Sequence, residues 1–388
     1  MPASPSTARA INDRLALRFL QEEGPLTAGQ LKSRTGLSRP TVADLVERLQ
    51  GSGLVRIVGE SGAERRGPNA RLYGIVADRA HLAALDVRTE DVSVVVADLL
   101  GTTLAKATAP ITTGAGTGPA AERAVALLEA TLHRVGAAPP HTIGVGAPGL
   151  VDPATGELRP TTGQHVWHGR LLGALQERLP SAVLLENETN LAAVAELREG
   201  AASDRDTFVL LWLGHGVGAA VVLDGRLRRG ASGGAGEIGF LPVPGTEGLP
   251  SDTDCGGGFH SLAGSAALCD LALVHGVPVR PEGREPAGAA AVRAALRSGA
   301  DAFLDALADR LALGAAAVTA VLDPGCVVLG GEIGHAGGAD LADRVEQRLA
   351  RLSPLRTAVR ASALGGSAVL RGALLTARDA AQDELFSR

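Results

Sequence analysis

Residues 207–225 read TFVLLWLGHGVGAAVVLDG and contain the most apolar stretch of the chain. Its apolar residues form two short runs, which the glycine-rich segment LGHGVG separates. A helix that crosses a membrane needs about 20 uninterrupted apolar residues, whereas buried strands are shorter and often end at glycine turns. This stretch therefore predicts two buried strands joined by a turn, and no membrane span.

The same kind of segment recurs on both sides of this stretch. Apolar runs that lead into glycine turns or helical patterns are HLAALDVRTEDVSVVVADLLG (81–101), HTIGVGAPGLV (141–151), AVLLENETNLAAVAEL (182–197) and CVVLGGEI (326–333). Helices are predicted near 119–135 and between 261 and 322. Two halves of alternating strands and helices indicate an α/β fold with two lobes. Ligands of such folds bind in the crevice beyond the carboxyl ends of the strands.

The first eighty residues follow a helical pattern instead. A first helix is predicted from Ile11 to Leu20, with its apolar face at Ile11, Leu15, Leu17 and Leu20. Thr27 and Ser38 can each cap a further helix, and Gly36 ends the first of these two. The third helix has one apolar stripe, at Val42, Leu45, Val46 and Leu49. A helix, a glycine-containing turn and a capped helix are the geometry that places a recognition helix in the DNA major groove.

Side chains suited to DNA contacts lie on the third helix and in the segment after it. Strand LVRIV (54–58), polar loop GESGAERRGPNA (59–70) and strand RLYGIV (71–76) predict a wing, whose arginines can enter a minor groove or bind phosphate. Arginine pairs with guanine or phosphate, and serine or threonine with either. The predicted DNA contacts are Ser38, Arg39, Thr41, Arg48, Arg65 and Arg66.

Charge and cysteine content agree with this division. Residues 1–76 contain 11 Lys and Arg against 7 Asp and Glu, whereas the rest contains 26 against 35. A basic segment on an acidic body fits a module that binds a polyanion. Three widely spaced cysteines argue against a disulfide framework, and the first residues lack a signal-peptide pattern. We therefore expect a cytoplasmic protein.

Five segments of the body resemble the ROK family, which contains transcriptional repressors and sugar kinases of the actin-like ATPase fold. They are GVGAPGLVDPATGEL (144–158), LLENETNLAAVAEL (184–197), RLRRGASGGAGEIGFLPV (226–243), LDPGCVVLGGEI (322–333) and SALGGSAVLRGALL (362–375). The resemblance implies a winged helix-turn-helix domain over residues 1–78 and a two-lobed sugar-kinase-like domain over 79–388. The winged helix followed by RRGPNARLYGI (65–75) resembles the repressor branch.

The resemblance also implies where ATP would bind, and there the chain departs from the kinases. The first phosphate loop of the family has a Gly-Gly-Thr turn after an aspartate, but residues 86–90 read DVRTE. Side chains in this loop block the close approach of backbone amides to a phosphate. The second loop keeps its glycines, with His215 in place of a small hydroxyl residue. We expect no catalysis and no cofactor; the alternative is a sugar kinase that also binds DNA.

The ligand cleft is partly preserved. In ENETN (186–190), Asn187 takes the sugar-contacting position, and Glu188 takes the position of the catalytic aspartate with one extra methylene. The ligand-binding residues that the resemblance implies are Gly149, Asn187, Glu188 and Glu237. Phe240 and Leu262 replace a histidine and a glutamate of the family. The effector is then a sugar held differently or a less polar metabolite, or else both are core residues and the cleft binds nothing.

The zinc motif of the family is largely missing. Only Cys255 stands on the pattern, while Thr253 takes the first cysteine position and His260 the third. One cysteine and one histidine do not complete a tetrahedral site, so no metal is predicted, although an improvised site with Asp252 or Asp254 stays open.

The sequence thus predicts a transcriptional regulator, most simply a repressor, whose degenerate kinase-like domain senses a sugar or a related metabolite. Its partner would be a pseudo-palindromic double-stranded operator, since regulators of this kind act as homodimers or homotetramers with paired recognition helices. Whether the protein represses or activates is left open.

Overall fold

The computed structural model describes all residues except 1–4, 62–69, 89–90, 112–116, 160–165, 247, 252–255, 282, 284 and 388. The N-terminal domain contains α1 (Pro5–Glu23), β1 (Leu26–Thr27), α2 (Ala28–Thr35), α3 (Arg39–Gly51), β2 (Val55–Ser61) and β3 (Ala70–Ile75). Its three strands form an antiparallel sheet in the order β1-β3-β2. This is the predicted winged helix-turn-helix arrangement.

Local signals place α2 and α3. Thr27 caps α2 in a reciprocal capping box with Gln30, and Gly36 ends the helix in the left-handed conformation at φ 71°. Ser38 caps α3 by accepting a hydrogen bond from the Thr41 amide. The predicted stripe of α3 is buried, at Val42, Leu45, Val46 and Leu49. These predictions are confirmed because caps and periodicity depend on residues close in sequence.

The predicted apolar face of α1 is only partly right. Leu17 and Leu20 are buried, but Ile11 is 55 % exposed. The helix begins at Pro5 rather than at Ile11, and its fully buried side chains start at Ala16. Only the C-terminal half of α1 therefore packs into the core of this domain.

The first lobe is built on a five-stranded sheet in the order β6-β5-β4-β7-β8. Its elements are β4 (His81–Val87), β5 (Asp91–Asp98), β6 (Thr103–Pro110), α4 (Thr117–Arg134), β7 (Thr142–Ala147), α5 (Val166–Arg178), β8 (Ala182–Asn187) and α6 (Glu188–Glu199). β4, β7 and β8 are parallel to one another, whereas β5 and β6 pair antiparallel. Helices α4 and α5 pack together against one face of this sheet and share a core with it.

The second lobe has a sheet in the order β11-β10-β9-β12-β13. Its elements are β9 (Phe208–Leu213), β10 (Val217–Leu223), β11 (Arg226–Arg228), α7 (His260–Ala263), α8 (Ser265–Val274), α9 (Ala287–Ser298), α10 (Asp301–Leu322), β12 (Cys326–Gly330), α11 (Gly331–Leu352) and β13 (Ala358–Ala361). The last helix, α12 (Ala368–Leu385), packs against α6 and against the first-lobe sheet, while α6 also contacts β9 and β10. The two helices thus lie between the lobes, as the two-lobed fold requires.

The N-terminal domain continues directly into the first lobe. A single 3₁₀ turn, Ala77–Arg79, separates β3 from β4, and its Ala77 carbonyl accepts a hydrogen bond from Leu99 at 2.9 Å. Buried residues of both domains, such as Leu17 and Leu385, belong to one core. The predicted boundary at residue 78 lies inside this turn, and the division there stays a prediction.

Four strands were missed by the sequence patterns. Three of them are short: β1 has two residues, β11 has three and β13 has four, too few for a periodic signal. β6 is an edge strand whose residues are exposed or half-buried, so it lacks the apolar run of a central strand. Within the described residues, no helix has the length and apolar character needed to cross a membrane.

Candidate functional site

The N-terminal end of α3 presents the first predicted DNA contacts. The Ser38 Oγ accepts from the Thr41 amide at 3.3 Å and lies 2.8 Å from the Thr41 Oγ1. Ser38 and Arg39 are exposed, and Thr41 is half-buried. Arg39 has no acidic partner in the part of the chain that the structure describes. Its guanidinium is therefore available to a base or a phosphate, while both hydroxyls also serve the helix cap.

The structure shows that Arg48, a predicted DNA contact, also has a structural role. Its Nη2 lies 2.6 Å from the Asp13 Oδ1, and its Nη1 contacts Asp44. The half-buried guanidinium therefore ties α3 to α1 and already has two carboxylate partners. The partner Asp13 lies 35 residues away in the sequence, so helix periodicity could not reveal it. Its contact with DNA stays a prediction.

The wing is present as the antiparallel pair of β2 and β3. Arg65 and Arg66, predicted at its tip, lie outside the described residues. Arg71 was not among the predicted DNA contacts, although it is exposed on β3 directly after the loop. Its exposure on a strand that flanks a basic loop is the signal that could have identified it.

Asn187 organises the corner where β8 meets α6. Its Oδ1 accepts from the Thr189 and Asn190 amides at 2.8 and 3.3 Å, which caps the helix. Its Nδ2 donates to the Gly149 carbonyl and to the Glu188 Oε2, both at 3.0 Å. The amide therefore uses its full hydrogen-bonding capacity within the protein. Asn187 thus holds Gly149 and Glu188 together, and its contact with a ligand stays a prediction.

The Glu188 carboxyl lies at this corner in a poorly solvated environment. Desolvation is the main cause that raises its pKa to about 8, and the negative charges of Asp86, Glu237 and Glu332 raise it further. Glu237 belongs to the second lobe and is exposed. Its charge is nevertheless close enough to Glu188 to raise the pKa of that carboxyl. At neutral pH the Glu188 carboxyl is mostly protonated, and it can then donate a hydrogen bond to a hydroxyl.

A glycine of the segment RGASGGAGEIG shapes the same corner from the second lobe. Gly233 adopts φ 81°, and a Cβ atom there would overlap the backbone of Val151, 3.0 Å from its carbonyl carbon. Only glycine permits this approach between the loop after β11 and the loop after β7. The segment thus has a structural reason for its composition that is independent of any ligand.

An ion pair lies between the two segments that the family uses for ATP phosphates. The Arg88 Nε lies 3.0 Å from Asp86, and its Nη1 lies 2.5 Å from Glu332 at the start of α11. A Cβ atom on Gly214, in the second glycine loop, would be 3.0 Å from the Glu332 Oε2. Despite burial, the two carboxylates raise the pKa of Arg88, which therefore stays cationic. The sequence patterns missed Glu332, although it follows the Gly-Gly turn of CVVLGGEI.

The residues that replace the family's polar contacts and zinc ligands are placed as follows. Phe240 is 43 % exposed and Leu262 is half-buried, so the interpretation of both as ordinary core residues is wrong for Phe240. His260 begins α7, and burial lowers its pKa, which keeps the ring neutral. Residues 252–255, including Cys255, lie outside the described residues. Within the rest, no cluster of three His, Cys, Asp or Glu side chains could hold a metal ion.

The raised pKa of Glu188 predicts a specific pH dependence of stability. The folded state keeps a proton that the unfolded chain loses above the ordinary value of 4.5, so the free energy of unfolding falls as pH rises towards 8. Glu188→Gln removes this loss. The stability gained by the variant over the wild type should grow between pH 5 and pH 8. This stability difference should change by at most about 1.4 kcal/mol per pH unit, because only one proton is involved.

Denaturant unfolding of both proteins at four pH values checks this expectation. A difference between them that does not change with pH would show that Glu188 ionises like an exposed carboxyl. The control is denaturant unfolding of Glu157→Gln at the same pH values. This variant alters an exposed carboxylate in the loop after β7.

Two family sequence models match the chain. Residues 82–380 match the ROK family, and residues 11–67 match the MarR family. In overall fold, the chain is similar to a crystallised ROK family transcriptional regulator, described as a homologue of the E. coli MLC protein. That likeness has a TM-score of 0.76 and 21 % sequence identity, and it covers 98 % of both chains.

Curated relatives include regulators and kinases. The xylose repressor of Bacillus spizizenii is 25 % identical over 250 residues, which cover 62 % of this chain and 62 % of the repressor. The DNA-binding transcriptional dual regulator NagC of Escherichia coli is 26 % identical over 274 residues, 67 % of this chain and 64 % of NagC. The matched regions thus span less than two thirds of either relative, and a glucokinase is also similar. The match to the ROK family extends over more than half of the residues of this chain. The chain therefore belongs to the ROK family.

Proposed function

We propose that the protein is a DNA-binding transcriptional repressor whose kinase-like domain senses a small metabolite. The observation that carries this proposal is the direct continuation of a winged helix-turn-helix domain into a two-lobed cleft whose first phosphate loop contains Arg88 instead of glycines. The similarity to the xylose repressor and to NagC supports it. The winged domain would bind DNA, and the cleft would bind the effector.

The effector is a sugar or a related metabolite that binds at the Glu188 corner. A protonated Glu188 would donate to a hydroxyl, and Glu237 from the other lobe would accept from one. The exposed Phe240 lies two residues after the 3₁₀ turn begins at Ile238. An aromatic ring at this place would favour the apolar face of a sugar ring or a less polar substituent.

The kinase-like domain is not expected to catalyse phosphoryl transfer. Arg88 stands in the first phosphate loop and pairs there with Asp86 and Glu332, where backbone amides would have to approach a phosphate closely. The competing function is an ATP-dependent sugar kinase that also binds DNA, which the similarity to a glucokinase favours. An assay of ADP release with a panel of aldoses and amino sugars separates the two, since sustained turnover would establish the kinase.

The DNA-binding form would be a homodimer or homotetramer in the cytoplasm. Two copies of α3 would read half-sites separated by about one helical turn of DNA or a multiple of it, in a pseudo-palindromic operator. The proposed contacts are Ser38, Arg39 and Thr41 on α3, with Arg65 and Arg66 on the wing.

A gel-shift titration on the DNA upstream of the protein's own gene tests the proposal. Free sugars, amino sugars and their phosphates are added one at a time, with unrelated DNA as competitor. Binding that resists the competitor and that one ligand changes would support both halves of the proposal. By linkage, that ligand must bind the DNA-free and DNA-bound forms with different affinities. No specific shift with any probe or ligand would argue against a regulator of this region.

The wing has its own expected result. Arg65→Ala with Arg66→Ala should weaken binding to operator and unrelated DNA alike, because phosphate contacts carry no sequence information. The plot of log affinity against log salt concentration should become shallower, its slope decreasing in magnitude by about one to two units. Fluorescence anisotropy at five salt concentrations measures it. An unchanged slope would mean that these arginines do not touch DNA.

A further inference from the structure

Arg88 is the contact point of three elements from two lobes. It follows β4 in the first lobe, where its Nε pairs with Asp86 at 3.0 Å. Its Nη1 crosses to Glu332, the second residue of α11 in the second lobe, at 2.5 Å. Its Nη2 donates to the Gly366 carbonyl at 3.4 Å, in the turn before α12. The Arg88 guanidinium thus joins elements that are 244 and 278 residues away in the sequence.

The position of Glu332 is held by the backbone around it. Gly331 adopts φ 73°, and a Cβ atom there would overlap the Leu213 backbone, so α11 starts in direct contact with the end of β9. The carboxylate lies in the first turn of α11, where the helix dipole stabilises a negative charge. Glu332 is therefore a fixed partner rather than a mobile surface side chain. Its side chain is only 20 % exposed, and that of Arg88 is 33 % exposed.

We propose that the Arg88–Glu332 pair is a clasp that holds the two lobes together without a nucleotide. The pair lies between the segment that begins at Asp86 and the second glycine loop at Gly214, so the protein supplies its own charge contact where a kinase of the family would bind phosphates. The clasp sets how far the cleft opens beside the Glu188 corner. This inference depends on the geometry of the two lobes alone, and it holds whatever the cleft binds.

A second charge contact also joins the lobes, on the other side of Asn187. Arg229, in the loop after β11, pairs with the buried Glu186 of β8 at 2.6 Å. Glu186 also accepts from the Asn190 amide group at 2.9 Å and from the Asn187 backbone. This contact is therefore part of the β8–α6 corner, so its loss would disturb the proposed ligand site. The Arg88–Glu332 pair makes no hydrogen bond to Asn187, and Glu332 affects the Glu188 corner only through its charge.

Arg88 also contacts the turn that precedes α12, and the other end of α12 lies near the N-terminal domain. α12 begins two residues after Gly366, and at its other end Ser387 contacts Arg14 of α1. α12 lies along β4, which itself runs from the 3₁₀ turn beneath the N-terminal domain to Asp86. A change at the clasp therefore acts on the ends of two packed elements that connect the cleft with α1.

Distances between spin labels on the two lobes test the clasp in the full-length protein. Labels are attached to Ala130→Cys on α4 and Ala350→Cys on α11, both exposed, after Cys255 and Cys269 are replaced by serine. Glu332→Ala should raise the ratio of open to closed molecules about tenfold, as expected for the loss of a charge-assisted hydrogen bond. Glu332→Gln should raise it by less. Both variants keep the Arg88–Asp86 pair, so no buried carboxylate loses its cation.

The matched control is Arg178→Met, which removes an arginine that pairs with Glu122 and Glu129 at 2.8 and 2.6 Å inside the first lobe. This variant should keep the wild-type distance distribution. If Glu332→Ala and Glu332→Gln also keep it, the clasp does not exist. Should Glu332→Ala fail to fold, the Glu332→Gln distribution decides by itself. Because no DNA or ligand is present, the result stays separate from the outcome of the gel shift.

Discussion

Replacing Gly144 by alanine is expected to destabilise the protein by about 3 kcal/mol, close to the upper end for overpacking of a core. Gly144 lies on β7, beneath α12. A Cβ atom there would be 2.9 Å from the carbonyl carbon of Ala373 and closer still to its oxygen. The obstacle is helix backbone rather than a flexible side chain, so α12 would have to move away from the sheet.

The consequence would reach beyond stability, because α12 connects the cleft with α1. Gly372 of α12 faces α6. A Cβ atom there would overlap the backbone of Leu191, so glycine allows a close approach of α12 to α6 as well. A displaced α12 would therefore also lose its fit against α6. We expect Gly144→Ala to lower both the denaturation midpoint and the affinity for DNA, measured by denaturant unfolding and gel shift.

Gly173→Ala is the matched control for this substitution. Gly173 lies inside helix α5, and a Cβ atom there would have no neighbour within 4 Å. Alanine is the better helix former by about 0.5–1 kcal/mol, so this variant should gain stability. The same chemical change thus has opposite signs at two glycines of one lobe. Equal effects at both would contradict the close contact between β7 and α12.

Replacing Arg39 by alanine should reduce operator affinity about 10- to 100-fold, equivalent to one bidentate base contact of 1–3 kcal/mol. Arg39 is exposed at the first residue of α3 and has no acidic partner among the described residues. Affinity for unrelated DNA should change little, so the ratio of specific to non-specific binding should fall. Competition gel shifts at one fixed salt concentration measure this ratio.

Two further substitutions serve as comparisons for Arg39→Ala. Arg123→Ala removes an exposed arginine of α4, far along the chain from the winged domain, and should leave both affinities unchanged. A uniform loss in Arg39→Ala across all sequences would instead assign it to a phosphate. Arg48→Met should act differently again. It would lower stability by removing the tie to Asp13, which leaves that carboxylate without its cation.

In the N-terminal domain, the sequence patterns predicted α2, α3 and the two strands of the wing, but missed β1 and the start of α1. The caps at Thr27 and Ser38, the turn at Gly36 and the buried stripe of α3 involve residues at most a few positions apart. Such interactions form in any chain with these residues, so they can be identified without knowing the tertiary fold. The central strands were also predicted, because each of them has a continuous apolar run. The edge strand β6 lacks such a run and was missed.

The candidate cleft was only half predictable. The resemblance implied Gly149, Asn187, Glu188 and Glu237, and in the structure Asn187 donates hydrogen bonds to both Gly149 and Glu188. It could not indicate that the Asn187 amide is saturated by Gly149 and by the start of α6, since those bonds depend on how two loops meet. Nor did it indicate that Phe240 is exposed. A single residue type is compatible with both burial and exposure until its neighbours are placed.

The amino-acid sequence by itself determined the helix caps, the buried stripes and strands, the wing and the family to which the chain belongs. These follow from short-range backbone preferences and from apolar periodicity, which act between neighbours in the chain. Only the tertiary structure decided the ion pairs of Arg48 with Asp13 and of Arg88 with Glu332. The two partners lie 35 residues apart in the first pair and 244 in the second. Electrostatic attraction falls with distance in space and not in sequence, so folding alone brings such partners together.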